Sequence, residues 1–398
     1  MSKILCVTYG AGHAQIIASL YPQLVARGHE VIVFALTTAA GQLARKGIPS
    51  VGYIDFIGPE DQASLELGRE LARDSAEHPD VRPGETEAYL GISYSELVAD
   101  HGEEAAARMY AEAGRQAFLP KRFIRRVVEQ IRPDLVLTTN SPRSEQAAVE
   151  VAAEMGLPSV VVVDLMVGGD RPRLHKPGYG TKICVIAELV RRRLIELGRS
   201  PGEVVVTGNP AFDELGATSV VEAAAELRRQ KGWGDEKIVL WASQPEPTDS
   251  EWGAKVAAEL AALVSSQSGW RLVFRPHPNE RPGCLGEVDH IETSGRDDDL
   301  SALLKAVDAV VVVSSTVGLQ AALMGKLVVQ VDLPVSAEPI DYPSVGAGYA
   351  ARDMEHCMEV LVTHMGRHAS GDMPFAPLGR AAESVVDLAD SLLLQQAR

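Results

Sequence analysis

Aromatic side chains are scarce. Phe, Trp and Tyr make up 5% of the 398 residues, so a core must be built mostly from Val, Leu, Ile and Ala. That filling suits parallel strands buried under helices. Cysteine is scarcer. Cys6, Cys184, Cys284 and Cys357 stand far apart, with no CxxC pair and no metal-type spacing. Cys6 and Cys184 fall in apolar runs and read as buried free thiols, which fits a reducing compartment. No run approaches the ~18 apolar residues of a membrane span. The first apolar run, Ile4 to Val7, is too short for a secretory leader and has no basic n-region before it. A soluble cytoplasmic protein is expected, with peripheral membrane contact at most. Positive charge is outnumbered, 38 Lys and Arg against 54 Asp and Glu, for a net charge of −16. Such a chain is a poor polyanion binder, which argues against nucleic acid as a partner. It still allows a nucleotide held by a few local groups.

With 46% hydrophobic and 23% charged residues, the composition is globular rather than disordered. At ~150 residues per domain the length allows two or three domains. The opening reads as one βαβ unit: strand Ile4–Val7, a glycine turn over Tyr9–His13, a helix over Ala14–Arg27 stopped by Gly28, and strand Val31–Ala35. A helix near Thr38–Lys46 and a third strand over Pro49–Ile54 follow. Residues 58–118 break the rhythm. They are polar and acidic, yet Leu90, Leu97, Met109 and Phe118 recur as apolar positions, so a helical insertion is expected. Strands then alternate with helices to the C-terminus. Two such runs predict two doubly wound α/β domains: 1–203 with the insertion, 204–378, and a closing helix over 379–398.

Open α/β sheets bind ligands in the loops after their strands, and two facing domains would gather those loops around an interdomain cleft. Tyr9-Gly10-Ala11-Gly12-His13 is one such loop. Gly12 lets a ligand approach the backbone, or simply makes a tight turn. His13 at a helix start suits a general base, or serves no chemistry. Gly208-Asn209-Pro210 ends a strand near the domain junction and reads as a hinge lining the cleft. Ser243 and Gln244 follow the next strand and suit a phosphate or ribose. Arg275-Pro276-His277-Pro278-Asn279 is a proline-stiffened loop whose Arg275 and His277 fit phosphate or carboxylate. Ser314-Ser315-Thr316 closes a buried Val run before a helix. Three hydroxyls exceed what one N-cap needs, so an anion pocket is expected, with Gln320 one turn later. Asp332, Glu338 and Asp341 could accept sugar hydroxyls, or be a solvated acidic loop. Arg171, Arg173, His175 and Lys176 could meet an anionic acceptor or a membrane surface, or be a solvated basic loop. No HExxH or Walker lysine motif occurs, and no metal site is expected.

Together these segments resemble a family. Tyr9-Gly-Ala-Gly-His13, Ala18-Ser-Leu-Tyr-Pro-Gln-Leu24 and Arg27-Gly-His-Glu30-Val resemble the acceptor-domain opening of GT-B glycosyltransferases. Val206-Thr-Gly-Asn-Pro210 with Phe212-Asp213 resembles the interdomain segment shared with UDP-N-acetylglucosamine 2-epimerases. Arg275-Pro-His-Pro278 and Ser314–Lys326 resemble the donor-domain motifs of that superfamily. The likeness covers roughly 1–35 and 180–345. It implies two Rossmann-like domains with a nucleotide sugar held mainly by the second. Gly208 and Asn209 would line the cleft, and Arg275, Ser314, Ser315 and Thr316 would meet the diphosphate. His13 would be near the acceptor or act as its base. Two departures stand out: Gln320 replaces the Glu that commonly holds the donor ribose, and Asp341-Tyr342 stands where an Asp-Gln pair is frequent. The epimerases' Gly-Thr-Arg-Pro-Glu motif is missing.

The expected function is metal-independent transfer of a sugar from a UDP-linked donor to a small-molecule or glycan acceptor. No cofactor is expected beyond that co-substrate. The alternatives are a nucleotide-sugar 2-epimerase, hydrolysing or not, and a non-catalytic nucleotide-sugar-binding protein. Oligomeric state stays open, a homodimer included.

Overall fold

The computed structural model describes residues 1–396 apart from 11, 76–77, 165–171, 247–248, 250, 278–279, 281–290, 296, 336–339 and 367–374. Ala11, Arg171, Pro278, Asn279, Cys284, Glu338 and Pro339, positions that bear on the sequence reading, lie outside the described residues. The chain divides into two compact units, Met1–Ala211 with Arg380–Arg398, and Phe212–Gly379.

The first unit runs β1 (Lys3–Thr8), α1 (Gly12–Ala26), β2 (Glu30–Ala35), α2 (Ala39–Ala44), α3 (Gln62–Leu71), α4 (Glu85–His101), α5 (Glu103–Ala113), α6 (Lys121–Ile131), β3 (Leu135–Thr139), α7 (Ser144–Glu154), β4 (Ser159–Val162), β5 (Lys182–Val185), α8 (Glu188–Glu196) and β6 (Val204–Val206). The second runs α9 (Thr218–Lys231), β7 (Lys237–Ala242), α10 (Trp252–Ser265), β8 (Trp270–Arg275), β9 (Ile291–Thr293), α11 (Leu300–Ala306), β10 (Ala309–Val312), α12 (Val317–Leu323), β11 (Leu327–Val331), β12 (Tyr349–Ala351) and α13 (Met354–His364). The last helix, α14 (Ala381–Gln396), belongs to the first unit.

Each unit holds one six-stranded sheet, in the orders β2-β1-β3-β4-β5-β6 and β12-β11-β10-β7-β8-β9. Every pairing is parallel. Strand order reverses between β1 and β3 in the first and between β7 and β10 in the second. These reversals are where doubly wound sheets open a ligand crevice.

The alternation of β1 explains how the first sheet is covered. Ile4 and Cys6 face α1 and α14, meeting Ile17, Leu20, Leu24, Val385, Val386 and Ala389. Leu5 and Val7 face the other way, toward α4, α6 and α7. The few aromatics concentrate on that second face. Phe34, Tyr53, Tyr89, Phe118 and Phe123 form a connected cluster, with Tyr53 stacked on Phe123 at 4.3 Å. The expected helical insertion is therefore one wall of the core. Its helices α3 and α4 touch backbone to backbone: a Cβ on Gly91 would lie 1.8 Å from the Ser64 carbonyl oxygen. The described cysteines, Cys6, Cys184 and Cys357, are buried free thiols, and burial pushes each up to about 12. Among the described residues no helix is long and apolar enough to cross a membrane.

Three expectations give way. The strand foreseen over 49–54 does not form. Val51 makes a single bridge to Phe34, and Tyr53–Phe56 wind into a short 3-10 turn. The cause is Glu85, whose carboxylate takes the N–H groups of Tyr53 and Ile54 that a ladder would have used. The strand at Val204–Val206, read as opening the second domain, pairs with β5 in the first sheet, and the unit boundary falls after Ala211. The edge strands β9 and β12 add to the expected set; at three residues each they carry no periodic signal.

The closing helix should matter to the first unit. Leu392 is 5% exposed and belongs to the α1–β1 cluster. Leu392→Ala should cost about 2–5 kcal/mol, read by urea unfolding of the full chain. An unchanged midpoint would mean that α14 does not pack on that core.

Candidate functional site

Polar residues gather at both strand-order reversals, one set in each unit. In the first, β1 ends at Thr8 and β3 at Thr139. The His13 ring sits at the start of α1 with Nδ1 2.6 Å from the Thr139 hydroxyl. That hydroxyl donates to Oε2 of Glu145 at 2.5 Å. Glu145 is fully buried and accepts two further hydrogen bonds, from Tyr9 N–H at 2.6 Å and Ser141 N–H at 2.8 Å. Three donors around one carboxyl are the satisfaction pattern of an ionised group. Burial nevertheless pushes its pKa above the usual carboxylate range, with His13 and these hydrogen bonds opposing.

This chain of bonds fixes a tautomer. Thr139 spends its proton on Glu145, so it accepts from His13 Nδ1–H, and in the neutral ring the lone pair falls on Nε2. Nε2 lies 3.7 Å from Asp164 Oδ2. The Asp164 backbone is held by Asn140, whose Oδ1 accepts its N–H, and by one of the two foreseen junction residues. The Asn209 amide donates to the Asp164 carbonyl at 2.5 Å, and Gly208 turns the chain at φ 84° after β6. Asn209 is thus a buried strut of the first unit. Gly12 opens α1 in open space, and a Cβ there meets nothing within 4 Å. The glycine that sterics demand is Gly10, whose Cβ would lie 2.2 Å from the Thr38 hydroxyl.

In the second unit, the loops after β7 and β10 meet. Gln244 Oε1 accepts from the Ser314 N–H at 2.9 Å and the Ser314 hydroxyl at 2.5 Å. Ser243 donates to Glu280 Oε1 at 2.9 Å, and Glu280 also takes the His277 N–H at 2.5 Å. Ser315 Oγ receives the Val317 N–H. Thr316 is exposed and makes no capping bond, so the three hydroxyls do have different duties. Gln320 is half-buried on α12. A cavity of about 380 Å³ lined in part by Val313, Gln330, Asp332, Leu333 and Asp341 lies beside this loop.

Two foreseen residues make no hydrogen bond to this loop. Arg275 ends β8, but its guanidinium donates to Ser294 Oγ at 2.8 Å and the Asp298 carbonyl at 3.1 Å, at the β9 end of the sheet. Desolvation lowers its pKa, with Asp298 and Asp299 opposing. Asp341 is exposed and accepts from Ser344 N–H, closing a turn. Its neighbour Tyr342, noted in the sequence only as standing in place of an Asp-Gln pair, anchors the loop. The buried Tyr342 hydroxyl donates to the Ser315 carbonyl at 2.7 Å and accepts from Leu319 N–H at 3.1 Å. Gln330 completes the frame through the carbonyls of Val313 and Ile340.

Thr139, Glu145 and Asp164 escaped the sequence reading, as did the anchoring role of Tyr342. Glu145 had one legible signal, an acid in the first turn of a helix that follows a buried strand. Among the described residues no group of three or more His, Cys, Asp or Glu is placed to hold a metal ion.

No protein-family model matches the chain, and no curated protein matches its sequence. Solved structures are similar to it. The UDP-GlcNAc 2-epimerase of Neisseria meningitidis, solved bound to UDP-GlcNAc, matches over 98% of this chain and 100% of its own, with TM-score 0.62 and 14% identity. The UDP-GlcNAc 2-epimerase of Methanocaldococcus jannaschii matches over 98% and 99%, with TM-score 0.62 and 13% identity. The calicheamicin glycosyltransferase CalG4 matches over 100% of both chains, with TM-score 0.59 and 15% identity. At such identities the likeness establishes the fold. The chain has the two Rossmann-like units of the GT-B fold that the motifs implied.

The Tyr342 anchor can be tested alone. Tyr342→Phe leaves Leu319 N–H and the Ser315 carbonyl without their partner. It should cost about 1–3 kcal/mol, read as a lowered urea midpoint for the second unit. No change would mean that the hydroxyl does not hold the loop.

Proposed function

We propose that the protein acts on a nucleotide sugar and transfers its glycosyl group to an acceptor, with His13 as general base. One observation carries this reading: the His13–Thr139–Glu145 chain, which directs Nδ1 of His13 to Thr139 and leaves Nε2 beside Asp164. An acceptor hydroxyl or amine would give its proton to Nε2 as it attacks the anomeric carbon. The imidazolium so formed would be stabilised by Glu145 through Thr139 and by Asp164. In the second unit, the Ser314–Thr316 loop with Ser243 and Gln244 would receive the diphosphate. Its hydroxyls and backbone N–H groups are donors of the type a leaving phosphate requires. Arg275, bonded toward β9, would have to turn to join them. A UDP-linked donor fits the ligands of similarly folded enzymes, and no metal ligand set is invoked.

A second reading is supported by the same fold likeness: a 2-epimerase, in which His13 would move a proton on the sugar itself. The missing Gly-Thr-Arg-Pro-Glu motif speaks against it. A protein that binds the nucleotide sugar without turnover is the third.

UDP should raise the thermal midpoint of the full chain, because a ligand that prefers the native state stabilises it. With a panel of UDP-sugars, UDP release that depends on an added acceptor supports transfer. A 2-epimer or free sugar formed without acceptor, read by NMR, supports the second reading. Binding without turnover supports the third.

His13→Ala should lower kcat about 10²–10⁴-fold with UDP affinity unchanged. Glu145→Gln should lower kcat by a smaller factor, because an amide cannot accept from all three donors. Full turnover in His13→Ala would remove the proposed base.

A further inference from the structure

We infer that the second unit carries a further small-molecule site, a cavity between α9, α11 and β9 that takes an organic cation with an apolar body, such as an arylalkylammonium. The inference goes beyond the proposed reaction and does not rest on it.

The cavity has a volume of about 320 Å³, inside the range of ligand pockets, about 300–1,000 Å³. It shares no residue with the Ser314–Thr316 loop, Ser243 or Gln244. β9 is a three-residue edge strand, and the helices α9 and α11, packed on each other beside it, leave a gap there. The apolar part of the wall is Leu227 on α9, Val273 on β8, Ala302 and Leu303 on α11, and Trp233. All but Leu227 are at most 4% exposed, so this is core surface and not a solvated flank. Trp233 is held in place by its Nε1–H, which donates to Glu292 Oε2 at 2.9 Å.

The charged part of the wall is acidic. Glu226, Glu292, Asp298 and Asp299 line the cavity against one cation, Lys231. Lys231 is paired with Glu292, and Glu226 accepts from Arg229 and Gln230. The two aspartates keep capacity. Asp298 Oδ2 takes the Ser294 hydroxyl at 2.9 Å and the Gly295 N–H at 2.8 Å. Asp299 Oδ1 takes the N–H groups of Ser301 and Ala302. Their other oxygens accept no hydrogen bond among the described residues. The chain itself shows which charge this wall receives. Arg275 donates to Ser294 Oγ at 2.8 Å and to the Asp298 carbonyl at 3.1 Å, and Ser294 and Asp298 both line the cavity. Desolvation lowers the Arg275 pKa while Asp298 and Asp299 raise it, so both carboxylates act on that guanidinium.

Charge and shape together select the occupant. A carboxylate or phosphate would meet two open carboxylate oxygens in a chain of net charge −16 and be repelled. A neutral apolar molecule would cover the floor and gain nothing from the aspartates. An ammonium group on an apolar body answers both parts of the wall. Its body takes Leu227, Val273 and Trp233 out of water, and its N–H donors meet Asp298 Oδ1 and Asp299 Oδ2 as charge-assisted hydrogen bonds. Both aspartates are exposed, so the charge contributes selectivity more than affinity.

The test is an NMR titration of the full chain at neutral pH with benzylamine, benzyl alcohol and benzoate, with and without saturating UDP. Benzylamine should bind most tightly, at least about threefold above the alcohol, and UDP should not displace it. The double variant Asp298→Asn/Asp299→Asn keeps the turn and the helix cap, because asparagine also caps, and should erase the preference for the amine. If it fails to fold, Ala223→Phe narrows the cavity from α9 without removing a hydrogen bond, and should weaken benzylamine at least about tenfold. An order in which benzylamine is not the tightest, displacement by UDP, or folded variants that bind as the wild type does would overturn the site. Should UDP itself not bind, the nucleotide reading fails, while the titration without UDP still decides this site.

Discussion

A single buried carboxyl organises the first unit's chemistry. Glu145 has no water to solvate it, so its charge is tolerated only because three donors close around it. Those donors come from different places: Tyr9 after β1, Thr139 at the end of β3, and Ser141 in the loop between β3 and α7. Satisfying one group therefore ties together the two strand ends on either side of the reversal in strand order. His13 inherits its orientation from that tie, and Arg143 inherits its place over Tyr9. Burial raises the Glu145 pKa. A carboxyl raised in this way favours the fold while protonated, and that contribution is lost as pH rises through its folded value. An ionised Glu145 is thus a cost to stability, and its worth lies in what it orients.

The second unit solves the corresponding problem without a buried charge. There the loop between β10 and α12 is held by neutral groups: the Tyr342 hydroxyl, the Gln330 amide and the Gln244 carbonyl oxygen. Tyr342 ties the Ser315 carbonyl to Leu319 N–H in α12, Gln330 ties the carbonyls of Val313 and Ile340, and Gln244 takes the N–H and hydroxyl of Ser314. The hydroxyls of Ser315 and Thr316 are thereby spared from structural duty to different degrees. Ser314 is committed to Gln244, Ser315 accepts one weak backbone bond at 3.4 Å, and Thr316 makes no side-chain capping bond. That gradient is the physical content behind reading three consecutive hydroxyls as more than a cap.

How much was legible in the sequence follows from where each signal resides. Buried parallel strands announce themselves, because valine-rich runs such as Ala309–Val312 need no context. The loops after them could be named for the same reason, so Ser243, Gln244 and Ser314 were found and are brought together. Other residues depend on partners distant in sequence. Glu85 dissolves an expected strand by taking N–H groups about thirty residues upstream. Tyr342 matters through a loop 23 to 27 residues before it. Asp164 matters through Asn209, 45 residues on. None of these is a local pattern, so periodicity and turn chemistry were silent about them. Arg275 was misjudged in the opposite way: its proline-stiffened surroundings were legible, but the direction of its guanidinium is set by Ser294 and Asp298.

The charge balance acquires a different meaning once these contacts are known. A chain of net charge −16 has ample carboxylates with which to neutralise its arginines. On the first unit it uses them freely, at Arg27, Arg45, Arg82, Arg122, Arg125, Arg126 and Arg199. Pairing is the default, and the acid excess makes it easy. Arg143 is the buried exception. It lies over the Tyr9 ring and donates to the Tyr9 hydroxyl, so a ring face and a hydroxyl stand where a carboxylate would be the default, and an acid excess makes that a choice of position and not a shortage of partners.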